Sequence, residues 1–369
     1  METLLPLVAA ILWLILLVLP WRPWLTDQVL EPVCPNVGDL QEITVVIPAR
    51  NEADVIGTTL RSLAQQGDRL KVVLVDDGSD DGTAEIVRGT EGIDLVIIDG
   101  KPLPADWSGK LWALQQGIVN VMTPYTLLLD ADIALKPGMV AALLAKAKND
   151  RRQFVSIMAN LDMASWWDRL LMPAFIFFFK LLYPFRLANS ANRRFHAAAG
   201  GCILLETALI DEIGGFGAIR GAIIDDCSLA KKIKGAGHRT WIGQSHSVVS
   251  LRCYAQLRPI WDMVARTAFT QLRYSLLLLC LCTSLMALMF WVPVLSLWAS
   301  GGAWGCAIFG CVAMMVGYLP TLNYYKQSPF LACLMPLIAS LYLAMTWTSA
   351  IRYWRGERSR WKNRVYAAD

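Results

Sequence analysis

Four short apolar runs alternate with four helical patterns in the first half of the chain. The apolar runs are ITVVIPA, KVVLVDDG, LVIIDG and TLLLDAD, and the helical patterns cover residues 52–66, 83–87, 109–121 and 138–146. Each run is rich in Val, Ile and Leu and ends in turn residues, which is typical of a buried parallel strand. The alternation predicts an α/β sheet, in which ligands bind beyond the carboxyl ends of the strands.

A long apolar segment lies near the start of the chain. Residues 3–21 carry no charge, and at about 1.5 Å per residue such a run is just long enough to cross a bilayer core of about 30 Å. A secretory signal would have Lys or Arg before the run and a small-residue cleavage site after it, and neither is present. We therefore predict a retained transmembrane anchor at residues 1–21. Arg22 favours a cytoplasmic side for the domain that follows.

The C-terminal region predicts further crossings. Residues 274–325 carry no charge and have a turn at Ser300, Gly301 and Gly302, and residues 327–351 are also uncharged. This pattern predicts transmembrane helices over residues 274–351, as a hairpin of two crossings and a third crossing. The basic tail at residues 352–369 has interleaved aromatic residues, which is typical of a segment on an anionic cytoplasmic leaflet. Three crossings would place that tail outside, so either one segment is re-entrant or the tail is external.

The composition indicates a membrane protein with a polar middle. Charged residues make up 17% of the chain, against about 25% in soluble domains, and hydrophobic residues make up 55%. A net charge of +4 is too mild to indicate nucleic-acid binding. The nine cysteines include no CxxC pair, so neither a zinc site nor a disulfide framework is predicted. The polar middle, residues 40–260, has the length of a single domain.

An aromatic, apolar segment interrupts this polar domain. Residues 165–186 contain PAFIFFFKLLYPF, with charged residues spaced around the apolar body. We predict a helix that lies in the membrane interface, with Lys180 and Arg186 extended toward lipid headgroups. A buried core helix is the alternative. An interfacial helix would admit a lipid from the membrane plane without extracting it into water.

Paired carboxylates follow the fourth predicted strand. Asp130 and Asp132 come directly after TLLL, where two ionised carboxylates would repel each other without a cation. Mg²⁺ or Mn²⁺ prefers carboxylate oxygens and leaves positions free for substrate phosphates. We therefore predict a divalent metal here, with two solvated loop acids as the alternative. The chain has no GxxxxGK[ST] and no GxGxxG motif, which argues against a P-loop nucleotidase and a dinucleotide dehydrogenase.

Other polar motifs fall at the ends of predicted elements. PARNE follows the first strand and DDGSDDGT the second, where carboxylates and glycines could receive a ribose or a base, although a capped turn also explains the second motif. Lys110 opens a predicted helix, where it could face a diphosphate. Asp225 and Asp226 precede an amphipathic helix, and one acid can cap that helix while its neighbour faces a cleft.

The motifs, in this order, resemble those of family 2 glycosyltransferases with the GT-A fold. The matching segments are VVIPARNEADVIGTTLRSL, VDDGSDDGT, DAD, GGCILLETALIDEIGGFG and IDDCSLAKKIKGAG. A closer resemblance, over nearly the whole chain, is to membrane-bound hopene-associated glycosyltransferases, through PAFIFFFKLLYPF, HAAAGGC, IIDDCSLA and MVARTAFTQLRYS. It implies a GT-A domain with a Rossmann-like mixed sheet at residues 40–260. Residues 40–150 would be its nucleotide-sugar half, and residues 151–260, with the interfacial helix, its acceptor half.

The resemblance also implies roles for individual residues. The general base would be Asp226, but its neighbour Asp225 stands where the family usually has Glu, so the choice between the two acids stays open. Asp132 would bind the metal together with Asp130. The residues implied at the nucleotide sugar are Ala49, Glu52, Asp77, Lys110 and Asp130, and those implied at the acceptor are Gly200, Gly201, Gln271 and Arg273. Gln271 and Arg273 match the family's QxxRW motif only in part, which argues against processive polymer synthesis.

The function implied by the resemblance is inverting transfer of a sugar from a nucleotide-diphosphate sugar to a membrane lipid acceptor, expected to be hopanoid-related. The expected cofactor is Mg²⁺ or Mn²⁺, and the expected partners are the lipid acceptor and the bilayer, with no nucleic acid. The expected location is the bacterial inner membrane, with several crossings and a cytoplasmic catalytic domain. The alternatives are a processive polysaccharide synthase and a membrane protein that binds sugar nucleotides without turnover.

Overall fold

The computed structural model describes residues 3–33, 38–361 and 364–367, with side chains described as far as Glu357. The chain is divided into two units. The sheet unit comprises Gln28–Asp162 and Phe185–Arg252, and the helical unit comprises Met1–Asp27, Met163–Pro184 and Cys253–Asp369.

An eight-stranded mixed sheet forms the centre of the sheet unit. Its strands, in chain order, are β1 (Ile43–Ala49), β2 (Lys71–Asp76), β3 (Asp94–Asp99), β4 (Tyr125–Leu129), β5 (Ile133–Leu135), β6 (Phe154–Asn160), β7 (Cys202–Glu206) and β8 (Thr240–Ser250). They lie in the order β3-β2-β1-β4-β7-β6-β8-β5. The first four strands are parallel, as the sequence predicts. In contrast, β7 is antiparallel to both of its neighbours, and β5 is antiparallel to β8.

Helices follow most of the strands, and the four helices predicted from residues 52–146 are all present. The α-helices, in chain order, are α1 (Leu4–Val18), α2 (Ala53–Ala64), α3 (Thr83–Arg88), α4 (Gly109–Ile118), α5 (Met139–Asn149), α6 (Trp166–Leu182), α7 (Phe185–Ala188), α8 (Ala208–Glu212), α9 (Asp225–Ala236), α10 (Leu257–Ala265), α11 (Ala268–Gln271), α12 (Leu276–Met286), α13 (Val292–Leu295), α14 (Gly302–Tyr324) and α15 (Met335–Trp354). Short 3₁₀ helices lie at Phe216–Ile219, Ser296–Trp298 and Pro329–Leu334, and a short π-helix lies at Ala287–Trp291.

The central strands are apolar on both faces because both faces of the sheet are covered. All seven residues of β1 are buried. Val45 and Ile47 point into one core, which α2 and α5 help to form, while Val46 points into a second core with residues of α4 and α9. Parallel strands of this kind therefore appear in the sequence as continuous apolar runs.

The helical unit contains the predicted C-terminal crossings. Among the described residues, three stretches are long and apolar enough to cross a membrane, namely Leu276–Trp298, Gly302–Tyr324 and Pro329–Trp354. They agree with the crossings predicted over residues 274–351. The predicted N-terminal anchor is helical only over α1, which has 15 residues and is about 22 Å long, shorter than a bilayer core of about 30 Å. Residues 1 and 2 lie outside the described part of the chain.

The helix predicted at residues 165–186 forms as α6, but its environment differs from the prediction. Ser165 begins it with a capping box to Asp168. Lys180 is only 1% exposed, so its predicted extension toward lipid headgroups is wrong. Its ammonium instead donates within the helical unit to Leu25 O (3.2 Å), Thr26 Oγ1 (2.7 Å) and Thr321 Oγ1 (3.0 Å). The segment Met163–Pro184 also belongs to the helical unit, whereas the sequence placed it in the acceptor half of the polar domain.

Two small pairs of strands complete the backbone. Gly38–Asp39 pairs in parallel with Gly67–Asp68, and Glu357–Trp361 pairs antiparallel with Arg364–Ala367. The second pair lies in the predicted basic tail. Lys362 of that tail lies outside the described residues, as do the side chains of Arg358, Arg360 and Arg364. Contact of the tail with a lipid leaflet therefore stays a prediction.

Close packing of α4 on the sheet generates a test of the fold. A Cβ at Gly117 would lie 2.6 Å from Val46 Cγ1 and 3.1 Å from Val75 Cγ2. We expect Gly117→Ala to lower the free energy of unfolding by about 1–3 kcal/mol, because α4 would have to move off the sheet. Chemical denaturation of the full chain in detergent, followed by tryptophan fluorescence, measures this loss.

Gly235→Ala in α9 is the matched control, since no atom lies within 4 Å of its added Cβ, and it should stabilise the folded chain by about 0.5–1 kcal/mol. Equal effects of the two substitutions would contradict the packing argument.

Candidate active site

The turn after β4 carries the predicted metal-binding acids at the carboxyl edge of the sheet. Its backbone is fixed by hydrogen bonds from Asp130 N to Gly201 O (3.0 Å), from Thr59 Oγ1 to Ala131 O (2.7 Å) and from Leu251 N to Asp132 O (2.8 Å). The partners of these bonds are the residue before β7, a residue of α2 and the residue after β8. Hydrogen bonds hold the backbone of the turn from three sides. The Cα positions from which the two carboxylates extend are therefore fixed.

Lys110 joins this turn to the acids at the start of α9. Its Nζ lies 2.7 Å from Asp130 Oδ1 and 3.5 Å from Asp225 Oδ2. The lysine stands in the first turn of α4, whose N-cap Ser108 accepts a hydrogen bond from Leu111 N. Burial alone would lower the pKa of Lys110, but the nearby carboxylates raise it above its ordinary value. The ammonium is therefore held in its charged form.

Asp226 lies in an environment that favours proton exchange near neutral pH. Burial, and next to it the charge of Asp225, raise its pKa from 3.8 to about 7, while Lys110 acts in the opposite direction. Its Oδ1 accepts a hydrogen bond from Cys227 N (2.6 Å). A carboxyl group with a pKa near 7 can act as a general base at neutral pH.

Gly200 leaves the space in front of these groups open. A Cβ at this position would lie 3.2 Å from Lys110 Nζ and 3.3 Å from Asp226 Oδ2. A cavity opens here, lined by Asp130, Gly200 and Asp226 together with Pro48, Lys110, Asp225 and apolar residues. A hydroxyl group could therefore approach Asp226 past Gly200. Gly201, the second glycine predicted at the acceptor, packs on Ile133, since its added Cβ would lie 3.2 Å from that side chain.

Asp132 belongs to a second cluster of charged side chains, with Arg252 and Glu52. Its carboxylate accepts a hydrogen bond from Arg252 Nε, and Arg252 Nη2 lies 3.2 Å from Glu52 Oε1. Asp132 is 7% exposed. Arg252, which lies two residues beyond β8, is not among the residues predicted from the sequence. The pairing of β8 with β5 brings Arg252 to the turn after β4. In the sequence, the only indication of such a role is that Arg252 closely follows a strand.

The predicted nucleotide-binding motifs lie at the ends of β1 and β2. Asp77 is 3% exposed, and Arg50 Nη1 donates to its carbonyl oxygen and lies 3.8 Å from its Oδ2. The side chain of Ala49 is buried in the core, and its carbonyl oxygen accepts from Asp77 N (2.8 Å). Arg50 is not among the site residues predicted from the sequence.

The capped-turn explanation of DDGSDDGT also holds for part of that motif. Asp76 accepts from Ser79 N (3.2 Å), and Asp81 accepts from Thr83 N and Ala53 N (both 3.0 Å). Hydrogen bonding lowers the pKa of Asp81 against the opposing effect of burial. The acids on either side of Asp77 therefore shape the turn that presents it.

The structure places two of the predicted acceptor residues in the helical unit. Gln271 Oε1 accepts a hydrogen bond from the hydroxyl of Tyr183 (2.6 Å). Arg273 lies between α11 and α12 with a φ of 51°. The remaining predicted site residues, from Ala49 to Asp226, belong to the sheet unit.

The residues after β4 fit a hard divalent cation. Burial, opposed by Lys110, raises the pKa of Asp130, and the charge of Asp132 raises it further, so the two carboxylates are close enough to repel. Carboxylate oxygens are the ligands that Mg²⁺ and Mn²⁺ prefer.

Comparisons with known proteins show what the chain is similar to. Residues 44–214 match the protein family described as Glycosyl transferase family 2. The chain is 38% identical over 108 residues to 4,4'-diaponeurosporenoate glycosyltransferase of Staphylococcus aureus strain bovine RF122 / ET3-1, and 39% identical over 106 residues to that of strain USA300. The first match covers 28% of each chain, and the second covers 28% of this chain and 27% of the relative. The chain thus spans under a third of these curated relatives.

One solved structure resembles nearly the whole chain. It is mannosyltransferase PcManGT from Pyrobaculum calidifontis in complex with GDP-Man and Mn²⁺, with a TM-score of 0.57 and 19% identity over 95% of this chain and 98% of that one. The likeness concerns the fold. It confirms the predicted fold class, a GT-A α/β domain combined with apolar terminal helices.

The position of Lys110 among three carboxylates generates a test by pH. Because Lys110 lowers the pKa of Asp130 and of Asp226, its removal makes both carboxyl groups bind protons more tightly in the folded state. Protons then stabilise the folded variant more than the wild type, so the stability of Lys110→Met should fall, relative to wild type, as the pH rises. We expect a loss of about 3 kcal/mol near pH 8 and a smaller loss near pH 5.

Urea denaturation at the two pH values measures this difference. Lys71→Met, which removes an exposed lysine at the start of β2, is the matched control and should show little dependence on pH. A stability loss for Lys110→Met that is the same at both pH values would contradict the ion-pair cluster.

Proposed function

We propose that the family 2 glycosyltransferase domain of this chain, residues 44–214 in the family match, works with α9 to transfer a sugar from a nucleotide-diphosphate sugar to a membrane lipid. The observation that carries the proposal is the cluster at Gly200. There the Asp226 carboxyl group with its raised pKa, the Lys110 ammonium and Asp130, the first acid after β4, line one cavity.

We propose a single inverting displacement, with Asp226 as the general base. The acceptor oxygen attacks the anomeric carbon from the face opposite the nucleotide, and its proton passes to the Asp226 carboxylate. The bond from the anomeric carbon to the phosphate oxygen breaks, and the diphosphate leaves with the electron pair. One carboxylate is enough, because a diphosphate leaves without being protonated.

The donor would occupy the carboxyl edge of β1, β2 and β4. Asp77 and Glu52, with the backbone at Ala49, would receive the nucleoside, and Lys110 would face the diphosphate. A divalent cation, held by Asp132 and Asp130, would neutralise the charge of the leaving diphosphate. Lys110 contacts acids on both sides of the cavity, so it would also fix the distance between the donor and the base.

The acceptor that we propose is a hopanoid-related lipid. This rests on the motif resemblance over nearly the whole chain and on three apolar helices long enough to cross a membrane. A carotenoid acid is the second candidate, favoured by the similarity to 4,4'-diaponeurosporenoate glycosyltransferase over 108 residues. Both are apolar lipids. We further propose that the protein lies in the bacterial inner membrane with the sheet unit on the cytoplasmic side, which Arg22 supports.

Comparison of cellular lipids tests the proposed reaction. Cells that express the wild type should contain a lipid whose mass is larger by one sugar residue, and cells that express Asp226→Asn at the same level should lack it. Lipid-extract mass spectrometry identifies both the acceptor and the sugar. A polymer in place of a single-sugar lipid would indicate the processive synthase, and identical lipids in the two cell lines would contradict glycosyl transfer.

The raised pKa of Asp226 predicts the pH dependence of the reaction. Below about pH 7 its carboxyl group is protonated and cannot accept the acceptor's proton, so kcat/KM should fall about tenfold per pH unit and should level off above that pH. Asp226→Asn should lower kcat by about 10²- to 10⁴-fold with little change in donor affinity, and it should lose this acidic limb.

Asp225→Asn is the matched control for the choice between the two acids. The charge of Asp225 raises the pKa of Asp226, so its removal should move the acidic limb to lower pH and should reduce kcat less than Asp226→Asn does. If Asp225→Asn gives the larger loss, the general base is Asp225.

A further inference from the structure

Two largely buried carboxylates share one arginine in the sheet unit. The side chains of Asp132 and Glu52 are 10% and 11% exposed, whereas that of Arg252 is 43% exposed. The guanidinium donates from Nε to Asp132 and from Nη2 to Glu52, so it bridges the two carboxylates. A carboxylate withdrawn from water needs a positive partner, and here Arg252 provides one for both acids.

The backbone next to Arg252 is fixed, but its side chain has room to move. Leu251 N donates to Asp132 O (2.8 Å), and Arg252 N is held by Ser250 Oγ (3.4 Å) at the end of β8. The guanidinium reaches the acids from a position in which nearly half of the side chain meets solvent. The side chain can therefore turn away from Asp132 without any change in the sheet.

We propose that Arg252 is the built-in counterion of the metal site, a positioning residue that neutralises Asp132 until a divalent cation and the nucleotide arrive together. The proposal rests on the proposed function, because it assigns the cation to Asp132. When the cation takes the oxygens of Asp132, Arg252 turns to the phosphate oxygens of the donor, which a guanidinium binds well. The arginine thus exchanges one anionic partner for another.

Coupled binding follows from this exchange. Without nucleotide, a cation must displace the guanidinium of Arg252 from Asp132, so it binds weakly. With nucleotide, the diphosphate receives Arg252, and the cation binds more tightly. By linkage, the cation must tighten nucleotide binding by the same factor.

Mn²⁺ binding to the purified full chain tests the proposal without any measurement of turnover. Bound Mn²⁺ loses the sharp electron paramagnetic resonance signal of the free ion, so a titration gives the Kd for Mn²⁺ alone and in the presence of UDP or GDP. For the wild type we expect Mn²⁺ to bind about 5- to 150-fold more tightly with the preferred nucleotide, the usual range for coupled sites. For Arg252→Gln we expect at least about tenfold tighter binding of Mn²⁺ alone and a coupling factor at least about tenfold smaller than that of the wild type, the remainder coming from attraction between the cation and the diphosphate.

Three further variants control the experiment. Arg69→Gln removes the same charge from an exposed ion pair with Asp39 and should behave as the wild type does. Arg252→Lys keeps the charge but cannot bridge two carboxylates as a fork, so its affinity for Mn²⁺ alone should lie between those of the wild type and Arg252→Gln. Asp132→Asn should lose Mn²⁺ binding altogether. Circular dichroism checks that each variant is folded.

The outcomes separate this proposal from the proposed function. Equal affinity of the wild type and Arg252→Gln for Mn²⁺ alone, with binding that still depends on Asp132, would overturn the counterion role and leave the metal site intact. Binding that is unaffected by Asp132→Asn, or that is absent from every protein even with nucleotide, would overturn the metal assignment itself.

Discussion

Each acid at the carboxyl edge of the sheet must be matched by a positive charge, and the site depends on how this matching is arranged. Lys110 lies between Asp130 and Asp225, and Arg252 lies between Asp132 and Glu52. Carboxylates placed so close together repel, and burial makes their ionised forms costly. Burial, and next to it the charge of Asp225, leave one acid, Asp226, with a pKa near 7. The same balance that keeps the site stable therefore leaves a proton acceptor in it.

The sheet supplies the rigid part of this arrangement. The parallel strands β1, β2 and β4 end at one edge, and antiparallel β7 brings Gly201 against the turn after β4. Close contacts fix the rest. Gly117 sets α4, and with it Lys110, directly on the sheet, while Gly200 leaves space between Lys110 and Asp226. A side chain at either glycine would disturb the charges as well as the packing.

The helical unit contains a buried lysine, Lys180, whose position contradicts a prediction. A lysine beside an aromatic, apolar run is expected to extend its ammonium to water or headgroups. In α6 it instead reaches the hydroxyls of Thr26 and Thr321 and the carbonyl of Leu25, which satisfy its donors away from water. The hydrophobic pattern of α6 predicts a helix correctly, but nothing in the pattern tells whether oxygen acceptors from distant segments surround its lysine.

The sequence by itself determined the parallel strands, the helices between them, the long apolar C-terminal helices and the acids at the strand ends, because strand and helix periodicity and turn residues act over a few positions. Tertiary structure decided the partners of those acids. Arg252 is 120 residues from Asp132 in the chain, and the antiparallel pairing of β8 with β5 brings them together. It also decided that β7 lies between β4 and β6, which places Gly200 in front of Asp226. The order of strands in a sheet is set by burying both faces along the whole chain at once, so no short segment carries it.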